Sequence, residues 1–167
     1  MSKKNIGKIV ELELPSFIVY GVCTHSDGPK GEIIKLFKGT YQKRLSSQEL
    51  KFDDQDYFTT IRFPLRYALK EPEVHIVGKA ELSDAGKKRP IFRSLGLARA
   101  GEMPKGWWII DGDKEHWVSA LTSEMASYPD DGLYNLLAIQ ELYERDLYPD
   151  SLELLSRGPL AFDPTRV

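Results

Sequence analysis

Three histidines, one cysteine and two acidic clusters are the side chains in this sequence best placed to do chemistry. His25, His75 and His116 stand far apart and share none of the close spacings by which histidines ligate one metal. Cys23 lies in the apolar run Phe17–Thr24. Burial there would raise a thiol's pKa and leave it a small hydrophobe. A Cys23–His75 nucleophile pair would require their two strands to adjoin. Asp53, Asp54 and Asp56 crowd one loop, but the central glycine and distal glutamate of a calcium loop are missing. Lys87, Lys88 and Arg89 form a short cationic run that could meet phosphate, with no stacking aromatics interleaved. Asp111 and Asp113 flank Gly112, and an Asp-Gly turn already demands such residues, so they read as turn formers. No Gly-x-Ser-x-Gly, phosphate loop or dinucleotide fingerprint occurs. These residues predict a protein that is not an enzyme and that takes no metal or cofactor.

The elements that must position these groups are mostly strands. The clearest is a hairpin, Gly106 to Val118, which holds all three tryptophans around Asp111-Gly112. Pairing large apolar groups across it favours a four-residue loop, Asp111–Lys114, over a two-residue turn at Asp111-Gly112, and sets Ile110 against Glu115, Ile109 against His116, Trp108 against Trp117 and Trp107 against Val118. Trp108, Ile110 and Trp117 then share one face, and Trp107, Ile109 and Val118 the other. A strand apolar on both faces is expected to be covered on both, so the three indoles are expected in the core. The competing reading is that one of them anchors a partner.

Lys8–Leu14 alternates, with Val10, Leu12 and Leu14 on one face and Glu11 and Glu13 on the other, as in a half-buried strand. Apolar runs at 17–24, 32–37, 58–63 and 74–80 read as further strands, with Gly21 marking a bulge or sharp bend. Ser46 and Glu49 have capping-box spacing for a short helix. After residue 119 the apolar period changes from two to about 3.6. Asp130 or Asp131 is expected to cap a helix from Leu133 to about Leu147. Its inward stripe is Leu136, Ile139, Gln140, Tyr143 and Leu147, while Tyr134, Glu141, Leu142 and Arg145 point away. The expected fold is α+β: a twisted antiparallel β-sheet or partly open small barrel with C-terminal helices packed on it. It is expected to be a single domain, with residues 6–119 mainly β, 120–157 mainly α, and 158–167 a loose tail.

At 167 residues the chain can bury a full core, and one cysteine excludes an internal disulfide framework. No apolar run approaches membrane length and no signal core follows Met1, so a cytoplasmic protein is expected. Net charge is −2, which favours no nucleic-acid partner by itself. Residues 1–100 nevertheless carry eighteen Lys/Arg against twelve Asp/Glu, and residues 101–167 five against thirteen. Such asymmetry points to a charged partner or to matching halves.

Four pieces together resemble the bacterial immunity protein 26 family of polymorphic toxin systems. They are Gly7-x-Ile9-Val10, Tyr20-Gly21-Val22, the run Gly106-Trp107-Trp108-Ile109-Ile110-Asp111-Gly112, and Leu121-Thr122. The likeness spans roughly residues 6–145 and carries over no defined functional residues. It implies a non-enzymatic protein that neutralises a cognate toxin by direct contact. Many such toxins are nucleases with basic clefts. Asp130, Asp131, Tyr134, Glu141, Leu142, Glu144 and Asp146 are then the expected partner-binding residues, acids and exposed apolar groups together. A small nucleic-acid-binding barrel using Lys87, Lys88, Arg89 and Arg93 is the first alternative. An enzyme gathering Cys23, a histidine and a carboxylate in one pocket is the second.

Overall fold

A computed structural model describes residues 3–166. The fold is α+β, with antiparallel sheets of five and three strands and a few short helices. The chain divides into two compact units. Among the described residues neither sheet closes into a barrel.

The first unit runs to Arg89 and includes Leu133–Asp146. Its strands are β1 (Lys8–Glu13), β2 (Ile18–Ser26), β3 (Glu32–Phe37), β4 (Tyr57–Phe63) and β5 (Val74–Lys79), in the order β4-β3-β2-β1-β5. Helical turns α1 (Leu65–Ala68) and α2 (Asp84–Lys87) connect and follow the last two strands. On β1 the apolar residues Val10 and Leu12 are buried as alternation requires. Glu11, expected on an open polar face, is buried too. The irregular segment after β3 folds back over that face. Tyr41 bridges Ile18, Phe52 stacks on Tyr20 and Phe37, and the Leu45 N–H donates to the Tyr20 hydroxyl. Gly21 sits in regular pairing, and the ladder slips further on, between Cys23 and His25. Ser46 and Glu49 make one bond of the capping box, at 2.6 Å, but close only a turn.

The helix expected over 133–147 is shorter. α3 covers Leu136–Glu144, capped by Asn135, whose Oδ1 accepts the Ala138 N–H at 2.8 Å. Asp130 and Asp131 lie in the other unit and do not cap it. Residues 133 and 134 are instead extended, bridging Arg62. The helix ends at Arg145, and Asp146 adopts a positive φ of 52°. Leu142, expected to face outward, is only 7% exposed. It stands three residues after the buried Ile139, so the inward stripe is wider on that flank than the sequence suggested. Tyr143 anchors the helix to the sheet, donating to the Phe37 carbonyl at 2.7 Å and packing on Phe17 and Phe58.

One buried ion cluster ties the start of the 28–30 turn to β4 and to the chain after α2. Asp27 accepts from Arg62 and Arg89. Burial raises the Asp27 pKa, but the hydrogen bonds and charges of Arg89 and Arg62 outweigh it and hold the carboxyl below the usual range.

The second unit spans Pro90–Gly132 and the chain from Leu147 on. It contains β6 (Phe92–Leu95), β7 (Trp107–Asp111) and β8 (Lys114–Val118), ordered β6-β7-β8, and α4 (Leu152–Leu155). The hairpin register is the one the apolar pairing predicts, with Trp108 opposite Trp117 and Ile109 opposite His116. The four-residue loop expected over Asp111–Lys114 is shorter, because Asp111 also pairs with Lys114 and leaves a two-residue turn, Gly112-Asp113, with Gly112 at φ +62°. Trp107 and Ile109 pack with Leu121, Ala126 and Leu155. Residues 158–161, expected to be loose, are held. Trp107 Nε1 donates to the Pro159 carbonyl at 2.9 Å, and Ala161 N to that of Leu121 at 2.8 Å.

Arg93 lies at the centre of this unit with no solvent exposure. Its guanidinium donates to Asp130 at 3.3 Å, to the Ala126 carbonyl at 2.6 Å and to the Pro149 carbonyl, and it lies over the Trp107 ring.

Two predictions follow from these clusters. Arg93→Ala should destabilise the protein by about 3–5 kcal/mol, since it strands buried acceptors. Arg93→Lys should recover little of this, because an ammonium cannot reproduce the planar fork. Urea unfolding monitored by tryptophan fluorescence measures both. For Asp27, a depressed carboxylate pKa contributes stability above the unfolded value of about 3.9. That contribution is lost as pH falls through the lower folded value. Asp27→Asn should therefore weaken the protein at neutral pH and flatten the acid limb of its stability curve. An acid limb as steep as the wild type's would count against this assignment.

Candidate functional site

The seven residues expected to meet a partner fall in two places. Asp130 and Asp131 belong to the second unit, the other five to the first. Asp130 pairs with Arg93, and the Asp131 N–H donates to the Arg93 carbonyl at 2.7 Å, so these two help build the sheet. The Tyr134 N–H donates to the Arg62 carbonyl at 2.9 Å, and Leu142 is buried. Glu141, Glu144 and Asp146 are exposed on α3 and the turn after it. Glu141 pairs with Arg145 at 2.6 Å, and Glu144 accepts from Gln140 Nε2 at 2.8 Å. Exposed contacts of this kind contribute roughly 0.3–0.5 kcal/mol, and such acids remain able to exchange partners.

The tryptophans divide. Trp107 is core, whereas Trp108 is 41% and Trp117 43% exposed, against the expectation that all three would be covered. Strand alternation is the cause: once Trp107 faces the packed side, its neighbour must face the other. Trp108 and Trp117 meet edge to face, ring centroids 5.3 Å apart. Trp117 is seated on backbone. A Cβ at Gly96 or Gly106 would come within 2.5 Å or 2.6 Å of its ring. Those two glycines end the β6–β7 loop, on which Leu97 and Met103 are also exposed. Two exposed indoles in contact with each other make an open aromatic patch.

Cys23 and His75 do not meet, since β2 and β5 lie on opposite sides of β1. Burial, with the Glu32 charge adding to it, pushes the Cys23 thiol up to about 12. Its Sγ lies 3.6 Å from the His25 carbonyl. Asp54 accepts from the Ser83 N–H, Asp53 from that of Gln55, and Asp56 pairs with Lys38, so the three acids serve their loop separately. Of the four cations proposed for nucleic acid, Arg89 is bound to Asp27 and Arg93 is enclosed, which leaves Lys87 and Lys88 exposed.

In the first unit a cavity of about 750 Å³ opens among Lys4, Lys8, Ser26, Glu32, Arg66 and Ile76. Its size suits a small molecule. Among its described lining residues there is no thiol or imidazole.

Sequence reasoning missed a group of side chains on β1 and β5. Glu11, Glu13 and His75 bring one ligand-type atom each within 4.8 Å of the others. Arg44 reaches both carboxylates, with Nε 2.7 Å from Glu11 Oε1. The Tyr20 hydroxyl donates to Glu11 Oε2 at 2.9 Å, and burial, reinforced by Glu11, pushes its pKa up to about 12. The signal was present in the glutamates' shared face, but nothing local showed that a later loop would cover it.

Comparisons with known protein families, with curated proteins and with solved structures found no match. No helix among the described residues is long and apolar enough to cross a membrane.

A raised pKa and complete burial predict an inert thiol. At pH 8 the native protein should react with a disulfide reagent about 10³-fold more slowly than the urea-unfolded chain, matching the difference in thiolate fraction. Comparable rates would place Cys23 at an accessible site.

Proposed function

We propose that this chain is a non-enzymatic binding protein, and that the Trp108–Trp117 face of its hairpin is the surface it presents to a protein partner. The observation that carries the reading is the exposure of two indoles that already meet edge to face, one of which, Trp117, packs on glycine backbone. Tryptophan is enriched among the few residues that dominate binding energy, and a ring held before contact loses little freedom on binding. The resemblance to immunity proteins supplies the partner class, a cognate toxin covered by direct contact. A basic, nuclease-type toxin would be drawn by Glu141, Glu144 and Asp146, which affect encounter rate more than final affinity.

The test is titration calorimetry against the protein encoded by the neighbouring gene, at low and high salt. The double variant Trp108→Ala/Trp117→Ala should weaken binding by about 10³-fold, two losses of about 2 kcal/mol each. Its melting temperature should fall by several degrees, since more than half of each ring is covered, while circular dichroism should show the fold retained. Undiminished binding by the double variant would remove this face from the interface, and no complex at either salt would remove the toxin reading.

A further inference from the structure

We propose that Glu11, Glu13 and His75 form a seat for a first-row divalent metal ion of the Zn²⁺ type, which Arg44 occupies while the ion is absent. Glu11 and Glu13 stand two residues apart on β1 and so share a face. β5 runs alongside, and His75 is the cross-strand neighbour of Glu11. Three donor atoms from two rigid strands therefore converge within 4.8 Å.

The second observation concerns the atoms themselves. Glu11 is 1% exposed, and its Oε1 has no hydrogen-bond donor. Arg44 Nε is close enough to it for an ion pair, at 2.7 Å, but is not aligned for a hydrogen bond. His75 Nε2 is likewise shut off from water and without a hydrogen bond, 3.6 Å from Glu13 Oε1. Buried polar atoms without partners are rare and call for a specific cause. Here His75 Nε2 is such an atom, and the Glu11 Oε1 beside it is met only by the Arg44 ion pair.

The donor set suits the ion. Two carboxylates cancel a divalent charge, a neutral imidazole is a common zinc ligand, and three protein ligands leave one position for water. Bonds of about 2.1 Å in tetrahedral array place ligand atoms about 3.4 Å apart. The His75–Glu13 pair is already at 3.6 Å, so the main adjustment is Glu11 drawing in. The Tyr20 hydroxyl on the other Glu11 oxygen, itself held by the Leu45 N–H, gives the orienting contact that metal carboxylates usually have. Arg44 is more than half exposed along its side chain and can swing to solvent. Its guanidinium neutralises the two acids in the empty state and competes with the ion for them.

The test uses the full chain, stripped with chelator and titrated with Co²⁺, then back-titrated with Zn²⁺. The wild type should give a saturable, one-to-one visible ligand-field band that Zn²⁺ abolishes. Arg44→Gln should bind at least about tenfold more tightly, and Glu13→Gln and His75→Ala at least about tenfold more weakly. These three positions are partly exposed, and circular dichroism checks their folding. A measurement that needs no variant is the imidazole NMR spectrum of the wild type with Zn²⁺, in which His75 alone of the three histidines should shift. No saturable band in either wild type or Arg44→Gln, a band indifferent to His75→Ala, or an unmoved His75 signal would each overturn the proposal and leave a simple ion-pair network.

Discussion

A guanidinium sealed from water has to find acceptors for its donors inside the protein, and Arg93 imposes that requirement on the second unit. Its acceptors come from two separated stretches: the carbonyl of Ala126 and the side chain of Asp130 in one, and the carbonyl of Pro149 in the other. Satisfying them fixes where the chain beyond the hairpin must pass. The flat face of the ion also needs cover, which Trp107 provides. With Trp107 committed inward, strand alternation leaves Trp108 and its partner Trp117 on the opposite side. The open aromatic face is thus a by-product of burying one charge next door.

Legibility in the sequence followed the range of the interactions. The hairpin register depends on side chains a few residues apart, and apolar pairing was enough to read it through Trp108–Trp117. β1 was equally plain, because Val10 and Leu12 alternate with glutamates. The α+β class followed from the change of period after residue 119. What escaped notice was set by distant chain. Leu142 is buried by parts of the chain that no helical wheel contains. Glu11 lies under the segment carrying Tyr41, Leu45 and Phe52, which has no regular pattern of its own. Arg93 and Arg89 looked like surface cations among neighbours of the same sign, yet each is met by an aspartate remote in sequence.

The same distinction separates the two candidate sites. The indole face is built from contiguous sequence and was visible as a hairpin, although its exposure was not. The carboxylate–imidazole group needs β1, β5 and the Arg44 loop in place together, so no single stretch announces it. Sites assembled across strands gain rigidity from the ladder.

The order in which the chain visits its two units bears on its birth at the ribosome. The sheet β4-β3-β2-β1-β5 is complete once β5 has emerged, but α3 belongs to the same unit and is encoded after the whole tryptophan hairpin. At about 5–20 residues per second, several seconds pass in which Phe17, Phe37 and Phe58 await the tyrosine that will cap them. A nascent chain in that interval is a natural client for chaperones that hold apolar surface, and neither unit is complete until the last third of the chain has been made.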